Sequence, residues 1–154
     1  MVITGLETYD TVNYKKPAMF IGTSRCSGKC GEACQNKKLM SGCYSIEIDD
    51  QELICYYIQN PLTHAVVIGG LEPFDSYIEL CKFMYAFRQV STDDIVIYTG
   101  YDKEEIKGWV NAIRTAFDNV IIKFGRYIPN SEPRWDEVLG VELASRNQYA
   151  EKIC

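Results

Sequence analysis

Three cysteines lie close together near the start of the chain. Cys26, Cys30 and Cys34 are each separated by three residues, in a segment that reads Cys-Ser-Gly-Lys-Cys-Gly-Glu-Ala-Cys. Gly28 and Gly31 disfavour a helix in this segment and favour a wrapped loop, which can turn three thiolates toward one centre. Thiolates are ligands of zinc and of iron–sulfur clusters. The spacing therefore predicts a metal site.

The number of cysteine ligands separates the kinds of metal site. A structural zinc site is closed by four ligands, and a cluster that only carries electrons usually has four cysteines. Three ligands leave one metal position open for a substrate or cofactor. Cys43 is the nearby candidate for a fourth ligand, and with Cys43 or His64 a zinc site remains an alternative. A further alternative is that the three cysteines are unrelated buried thiols.

Length and charge limit the classes of partner. The 154 residues are enough for one domain with a buried core, so we expect a single domain over residues 1–154. The 16 basic and 21 acidic residues give a net charge of −5, which argues against a nucleic-acid partner. No apolar run reaches the ~18 residues of a membrane span, and the first residues lack a signal-peptide pattern. We therefore expect a cytoplasmic protein without a membrane partner, in which clustered thiols serve metal chemistry.

Strands and helices alternate along the chain. Apolar runs predict strands at 18–22, 65–68, 95–98 and 120–124, and they read as continuous, as expected when helices cover both faces of a parallel sheet. Helical spacing of apolar residues and a cap at Asp49 or Asp50 predict helices at about 50–59, 74–88 and 106–117. The pattern predicts an α/β fold with a mostly parallel sheet, open or forming part of a barrel.

The residues with chemical potential follow the predicted strands. The cysteine loop comes after the first strand, Gly69 and Gly70 end the second, and Thr99 and Tyr101 follow the third. In parallel sheets, ligands bind at the carboxyl ends of the strands. We therefore expect these three loops, which are distant in sequence, to meet at one edge of the sheet.

Four segments, in order, resemble the activating proteins of anaerobic ribonucleotide reductase, small members of the radical S-adenosylmethionine superfamily. These segments are the cysteine loop ending Cys34-Gln35-Asn36, then Gly69-Gly70-Leu71-Glu72-Pro73, then Tyr98-Thr99-Gly100-Tyr101, and finally the pair 124–128 and 145–148. Two single-residue insertions depart from the family pattern. The second cysteine spacing is three residues where the family has two, and Leu71 interrupts the family's Gly-Gly-Glu-Pro.

The resemblance implies a fold, two cofactors and their binding residues. The fold would be a partial (β/α) barrel, the compact core of the radical S-adenosylmethionine enzymes. Cys26, Cys30 and Cys34 would hold a [4Fe–4S] cluster whose open iron binds S-adenosylmethionine. The residues expected to contact that cofactor are Gly69, Gly70, Leu71, Glu72, Pro73, Thr99, Tyr101 and Asn36. No side chain is expected to act as a base or nucleophile, because the cofactors carry the chemistry.

The resemblance also implies an activity and partners. The enzyme would cleave S-adenosylmethionine reductively and generate a glycyl radical on a large partner enzyme, with flavodoxin or ferredoxin as the reductant. One alternative is a radical enzyme that acts on a small metabolite, such as a purine-like or pterin substrate. Another is a non-catalytic iron–sulfur or zinc protein, which a fourth ligand would indicate.

Overall fold

The computed structural model describes residues 1–41 and 45–154, and within these ranges the chain is α/β. The strands are β1 (Val2–Asp10), β2 (Ala18–Thr23), β3 (Ile46–Glu47), β4 (Ala65–Gly70), β5 (Asp94–Tyr98), β6 (Val120–Phe124), β7 (Arg134–Asp136), β8 (Val141–Leu143) and β9 (Tyr149–Lys152). The helices are α1 (Asp50–Gln59), α2 (Tyr77–Arg88) and α3 (Lys107–Ala116). Short 3₁₀ turns precede α2 and α3, at Pro73–Ser76 and Lys103–Ile106.

Seven strands form one sheet in the order β3-β1-β2-β4-β5-β6-β9. The four central strands, β2, β4, β5 and β6, are parallel, while the edge pairings of β1, β3 and β9 are antiparallel. Strands β7 and β8 form a separate antiparallel pair. The four predicted strands are confirmed and the α/β class with them. The pairing gives an open sheet, and closure into a barrel is not seen among the described residues.

The predicted helices are confirmed, and their starting points follow from capping. The Asp49 side chain accepts the backbone N–H of Gln51 at 2.8 Å, which caps α1 as predicted. Asp102 and Glu105 form a reciprocal capping box at the turn before α3. None of the helices among the described residues has both the length and the apolar character that crossing a membrane requires.

All three helices pack on the same face of the sheet. One core contains buried residues of α1, α2 and α3 together with Met19, Ile68 and Ile97. The core on the opposite face contains no helical residue, and Tyr14 and Leu139, from loops, cover its strands. The expectation that helices cover both faces was therefore wrong. The strands are continuous apolar runs because loops and the β7–β8 pair bury their second face.

The strand register brings the predicted functional loops to one edge. Thr23 at the end of β2 pairs with Gly70 at the end of β4, and Tyr98 at the end of β5 pairs with Lys123 in β6. The cysteine loop, the Gly69–Gly70 segment and the Thr99 loop therefore start side by side. The sheet thus places the three loops next to one another at its edge.

Candidate metal and cofactor site

The loops that follow the four parallel strands surround a cavity of about 730 Å³. The structure brings nine of the eleven predicted site residues to its wall. They are Cys26, Cys30, Cys34, Asn36, Gly69, Gly70, Leu71, Glu72 and Thr99. The other two, Pro73 and Tyr101, are buried next to the cavity but do not line it.

The cysteine loop is wrapped, as its glycines predict. Gly28 and Gly31 have φ angles of +72° and +55°, in the left-handed region that glycine adopts without strain. The Gly28 N–H donates to Cys26 Sγ at 3.3 Å. A single 3₁₀ turn, Gly31–Ala33, then leads to Cys34. All three cysteines of this loop line the cavity.

The thiols affect each other electrostatically. Burial raises the pKa of Cys26 and of Cys30, and Cys34 and Glu72 raise both further. The hydrogen bond from the Gly28 N–H lowers the pKa of Cys26, and Arg126 lowers that of Cys30. A metal that binds these sulfurs as thiolates must displace their protons and would supply the positive charge that they lack.

The donor set suits a cluster better than a single ion. Among residues 1–41 and 45–154, no three His, Cys, Asp or Glu side chains converge as ligands of one ion. The three cysteines instead surround one cavity. Such a spread fits an iron–sulfur cluster, in which each thiolate binds a different iron atom.

Backbone and side-chain hydrogen bonds fasten the cysteine loop to the segment after β4. The Glu72 N–H donates to the Arg25 carbonyl at 2.9 Å, just before the first cysteine. Just after the third cysteine, Asn36 Nδ2 donates to the Gly70 carbonyl at 2.6 Å. Asn36 therefore has a structural partner, and it connects two of the predicted motifs.

Asp75 is a site residue that the sequence analysis missed. Its carboxylate accepts the Ser27 N–H at 2.5 Å and the Tyr101 hydroxyl at 2.6 Å. Burial, together with the bond to Asp75, raises the pKa of Tyr101 to about 12. Tyr101 thus acts on the cysteine loop through Asp75. The sequence contained no signal that Asp75 belongs to the site, because acidic residues are common in the first turn of a helix, where they interact favourably with the helix dipole.

The backbone conformation at position 70 requires a glycine. Its φ angle is +83°, and a Cβ at this position would lie 2.9 Å from the Cα of Gly22 in the neighbouring strand. The glycine therefore allows β2 and β4 to approach each other at the point where the cysteine loop leaves the sheet.

Glu72 occupies the centre of the hydrogen-bond network. Only 7% exposed, it accepts from the Thr99 hydroxyl at 2.7 Å and the Phe74 N–H at 3.2 Å through Oε1. Through Oε2 it accepts the Gly100 N–H at 2.9 Å. Burial raises the pKa of Glu72, although the three hydrogen bonds act in the opposite direction. A Cβ on Gly100 would lie 3.6 Å from Glu72 Oε2 and 3.7 Å from Cys30 Sγ, so the carboxylate and this thiol are neighbours.

The extra residue, Leu71, is accommodated without disturbing this network. Its side chain is 8% exposed and contributes to the cavity wall. Leu71 also lines a second, smaller cavity of about 510 Å³, together with Cys26 and Asp75. Leu71 therefore separates two cavities beside Cys26. Pro73 follows and starts the turn that leads into α2.

Two cations of the cavity wall were not predicted as site residues of the cofactor. Lys123, in β6, is 6% exposed, and its Nζ donates to the Gly125 carbonyl at 2.9 Å. Burial lowers the pKa of Lys123 to about 8, while Glu72 and Cys30 oppose that shift. Arg126 forms two hydrogen bonds with Glu105, at 2.8 and 2.9 Å. The sequence did contain a signal for Lys123, since it is the one charged residue in the otherwise apolar run Val-Ile-Ile-Lys-Phe.

The segment at 145–148 supports the loop after β6. Gln148 Nε2 donates to the Gly125 carbonyl at 3.2 Å, and Asn147 Nδ2 donates to the Arg126 carbonyl at 2.9 Å. Ser145 is completely buried, and its N–H donates to the Gln148 side chain. The segment therefore holds in place the backbone of Gly125 and Arg126, which line the cavity.

His64 lies too far away to join the cysteines. It is exposed and precedes β4, whereas the cysteine loop adjoins Gly70 at the other end of that strand. Six residues of strand span roughly 20 Å. A zinc site built with His64 therefore does not fit. Cys43, the other candidate fourth ligand, lies outside the described residues.

Comparison with known proteins adds one match. A family model described as a 4Fe-4S single cluster domain matches residues 17–143, which include the three cysteines and the strands from β2 to β8. No curated protein and no solved structure matches the chain.

Proposed function

The chain belongs to the family of 4Fe-4S single cluster domains, and on that premise we propose that it is a radical S-adenosylmethionine enzyme. The cluster is held by Cys26, Cys30 and Cys34. The observation that carries the proposal is the shared cavity, to which the three thiols and the Gly69–Gly70 segment both contribute. A cavity beside three cysteine ligands provides the space that an open iron position needs for a second cofactor.

The arrangement of the helices and the sheet supports the interpretation of the fold as a partial (β/α) barrel. In a (β/α) barrel the helices lie outside the strands, so the inner face of the sheet carries none. All three helices here pack on one face, and the cavity lies on the other side, lined by Phe20 and Tyr98. We therefore interpret residues 1–154 as one domain, with the four parallel strands forming a partial barrel.

The cofactors supply the reaction chemistry. Cys26, Cys30 and Cys34 would hold the cluster, which when bound and reduced would supply the electron for reductive cleavage of a carbon–sulfur bond of S-adenosylmethionine. The protein binds, orients and shields these groups. Its own side chains therefore need no strong base or nucleophile.

We infer two roles among the residues expected to contact the cofactor. Gly69, Gly70, Leu71 and Glu72 face the cavity and are available to a ligand. Thr99 lines the cavity too, but its hydroxyl is bonded to Glu72. Asn36 and Tyr101 hold the cysteine loop, and Pro73 fixes the turn after Glu72, so these are positioning residues.

We propose that the substrate is a glycine of a large glycyl radical enzyme similar to anaerobic ribonucleotide reductase. The resemblance of four motifs in the same order supports this choice. Flavodoxin or ferredoxin is the proposed electron donor.

The activity can be tested on the anaerobically purified protein after reconstitution with iron and sulfide. We expect reduction in the presence of S-adenosylmethionine to yield 5′-deoxyadenosine, and we expect Cys30→Ala to abolish it. Cys55→Ala is the matched control, because Cys55 is exposed on α1 and does not line the cavity. A complete cluster without any nucleoside product would contradict the proposal.

The electron-carrier alternative depends on a fourth ligand. If Cys43→Ala destroys the cluster, the iron is fully ligated and the open position does not exist. If Cys43→Ala retains four irons per chain and still cleaves S-adenosylmethionine, the three-cysteine site is sufficient. The radical signal on an added glycyl radical enzyme then distinguishes a protein substrate from a small metabolite.

A further inference from the structure

An arginine on the cavity wall lies close to one of the proposed cluster ligands. Arg126 and Cys30 both line the cavity. A Cβ on Gly100 would lie 3.5 Å from Arg126 Cγ and 3.7 Å from Cys30 Sγ, so the two side chains meet at this glycine. The Arg126 side chain is 26% exposed, so water and salt screen its charge only in part.

Two contacts fix the guanidinium group of Arg126 beside the cysteine loop. Its Nη1 and Nη2 donate to the two carboxylate oxygens of Glu105 at 2.8 and 2.9 Å, which is the strong bidentate arrangement. Its central carbon lies 5.5 Å from the centre of the Tyr101 ring. The hydroxyl of that ring lies 3.3 Å from Ser27 Oγ, in the cysteine loop. The positive charge therefore has a defined place next to this loop.

The ion pair presents its positive member to the cavity. Arg126 lines the cavity, whereas Glu105 is not among the described residues that do. Glu105 belongs to the turn before α3, where its Oε2 also accepts the Asp102 N–H at 2.9 Å. Glu72 and Lys123 line the cavity too, and their opposite charges offset one another. Arg126 is therefore an additional positive charge on this wall.

We propose that Arg126 raises the reduction potential of the iron–sulfur cluster by placing its charge beside Cys30, with Glu105 as the positioning residue that holds it there. Reduction adds one negative charge to a cluster, and a nearby positive charge stabilises that state. The electron comes from the flavodoxin or ferredoxin donor, which is oxidised by one electron. The inference rests on the proposed function, but only on ligation of the cluster by Cys26, Cys30 and Cys34.

The first test is a potentiometric titration of the anaerobically reconstituted full chain, followed by the electron paramagnetic resonance signal of the reduced cluster. Arg126→Met removes the charge and keeps an unbranched side chain, whereas Arg126→Lys keeps the charge. At a fixed potential we expect Arg126→Met to lower the ratio of reduced to oxidised cluster roughly threefold or more, a shift of about 28 mV or more. Arg126→Lys should shift less. A wild-type potential in Arg126→Met would overturn the proposal.

The second test uses the sign of the shift. Glu105→Gln removes the negative member of the pair, while Asp102, at 4.0 Å, remains beside the guanidinium group. We expect the potential to rise in Glu105→Gln and to fall in Arg126→Met, whereas a purely structural role of the pair would shift both in the same direction. Lys107→Met is the matched control, because it removes the cation of an exposed ion pair with Glu104 that does not line the cavity.

The outcomes separate this inference from the proposed function. If the wild type takes up no four-iron cluster, the proposed ligation fails and the inference falls with it. If the cluster forms and Arg126→Met lowers the potential no more than Lys107→Met does, the inference is wrong, while formation of 5′-deoxyadenosine still tests the proposed function. If the shifts have the expected signs but no S-adenosylmethionine is cleaved, the inference stands without that reaction. If Arg126→Met takes up no cluster, Glu105→Gln decides alone, and a potential that fails to rise overturns the proposal.

Discussion

The hydroxyl of Thr99 donates a 2.7 Å hydrogen bond to Oε1 of Glu72, which joins the loops after β4 and β5. The same hydroxyl accepts the N–H of Tyr101 at 3.0 Å. Thr99 is therefore satisfied by protein partners on both sides. Its place in the site is to hold Glu72 and the following turn in position at the cavity wall.

Removing that hydroxyl should destabilise the protein. Thr99→Val preserves the shape of the side chain but removes one of the three hydrogen bonds to Glu72 and leaves the Tyr101 N–H without its acceptor. We expect a loss of roughly 2–4 kcal/mol in the free energy of unfolding. Thr99→Ser keeps both bonds and should lose only about 1 kcal/mol, for one methyl group. Urea unfolding measures both, and equal losses would show that the hydrogen bonds contribute nothing.

Two glycine substitutions should have opposite effects on stability. Gly70→Ala forces a Cβ onto a residue with φ +83° and to within 2.9 Å of the Gly22 backbone. We expect a loss of about 2–5 kcal/mol in the free energy of unfolding. Gly108→Ala lies in α3 with nothing within 4 Å and should stabilise by about 0.5–1 kcal/mol. Thermal unfolding of both variants checks this contrast, and a neutral Gly70→Ala would contradict the described backbone.

Asp75 should control how firmly the cluster is held. Asp75→Asn weakens the acceptor for the Ser27 N–H and the Tyr101 hydroxyl, so the loop between Cys26 and Cys30 is less well fixed. Outer-sphere partners typically contribute about 10-fold or more to metal affinity, and we expect iron release to a chelator to accelerate accordingly. Asp49→Asn is the control, because asparagine also caps helices well. Equal rates of iron release in the two variants would show that Asp75 does not help to hold the cluster.

The contact between Glu105 and Arg126 should make stability depend on pH. The hydrogen bond from Arg126, and then the bond from the Asp102 backbone, lower the pKa of Glu105 from 4.5 to about 2. Because the folded pKa lies below the unfolded one, this contribution is complete above pH 4.5 and is lost as the pH falls toward 2.

The pH dependence can be isolated by difference. The stability gap between the wild type and Glu105→Gln should be largest above pH 4.5 and should close toward pH 2. Glu104→Gln serves as the control, since Glu104 is 79% exposed and forms a surface pair with Lys107, three residues along the chain. A gap for Glu105→Gln that is constant with pH would show that the carboxylate charge does not matter.

The parallel strands and the helices could be predicted because their signals are local. Runs such as Ala65–Gly70 are apolar and β-branched, and Asp49 is a favourable cap. Strands β1 and β9 could not be predicted in this way. Each mixes polar and apolar residues, and each is held by pairing with a strand that is distant in sequence.

The meeting of the three predicted loops follows from the parallel order of their strands, and the structure places them around one cavity. What each side chain does there could not be predicted. Tyr101 points to Asp75 and not into the cavity, and Lys123 is buried rather than extended to water. These roles depend on tertiary contacts between loops, which spacing along the chain does not encode.

We propose that Cys26, Cys30 and Cys34 hold a cluster with one open iron. The most direct measurement is electron paramagnetic resonance of the reduced, reconstituted protein with and without S-adenosylmethionine. We predict that the cluster signal changes when the cofactor is added and does not change with 5′-methylthioadenosine. A complete four-iron cluster whose signal is unaffected by S-adenosylmethionine would contradict the open iron position.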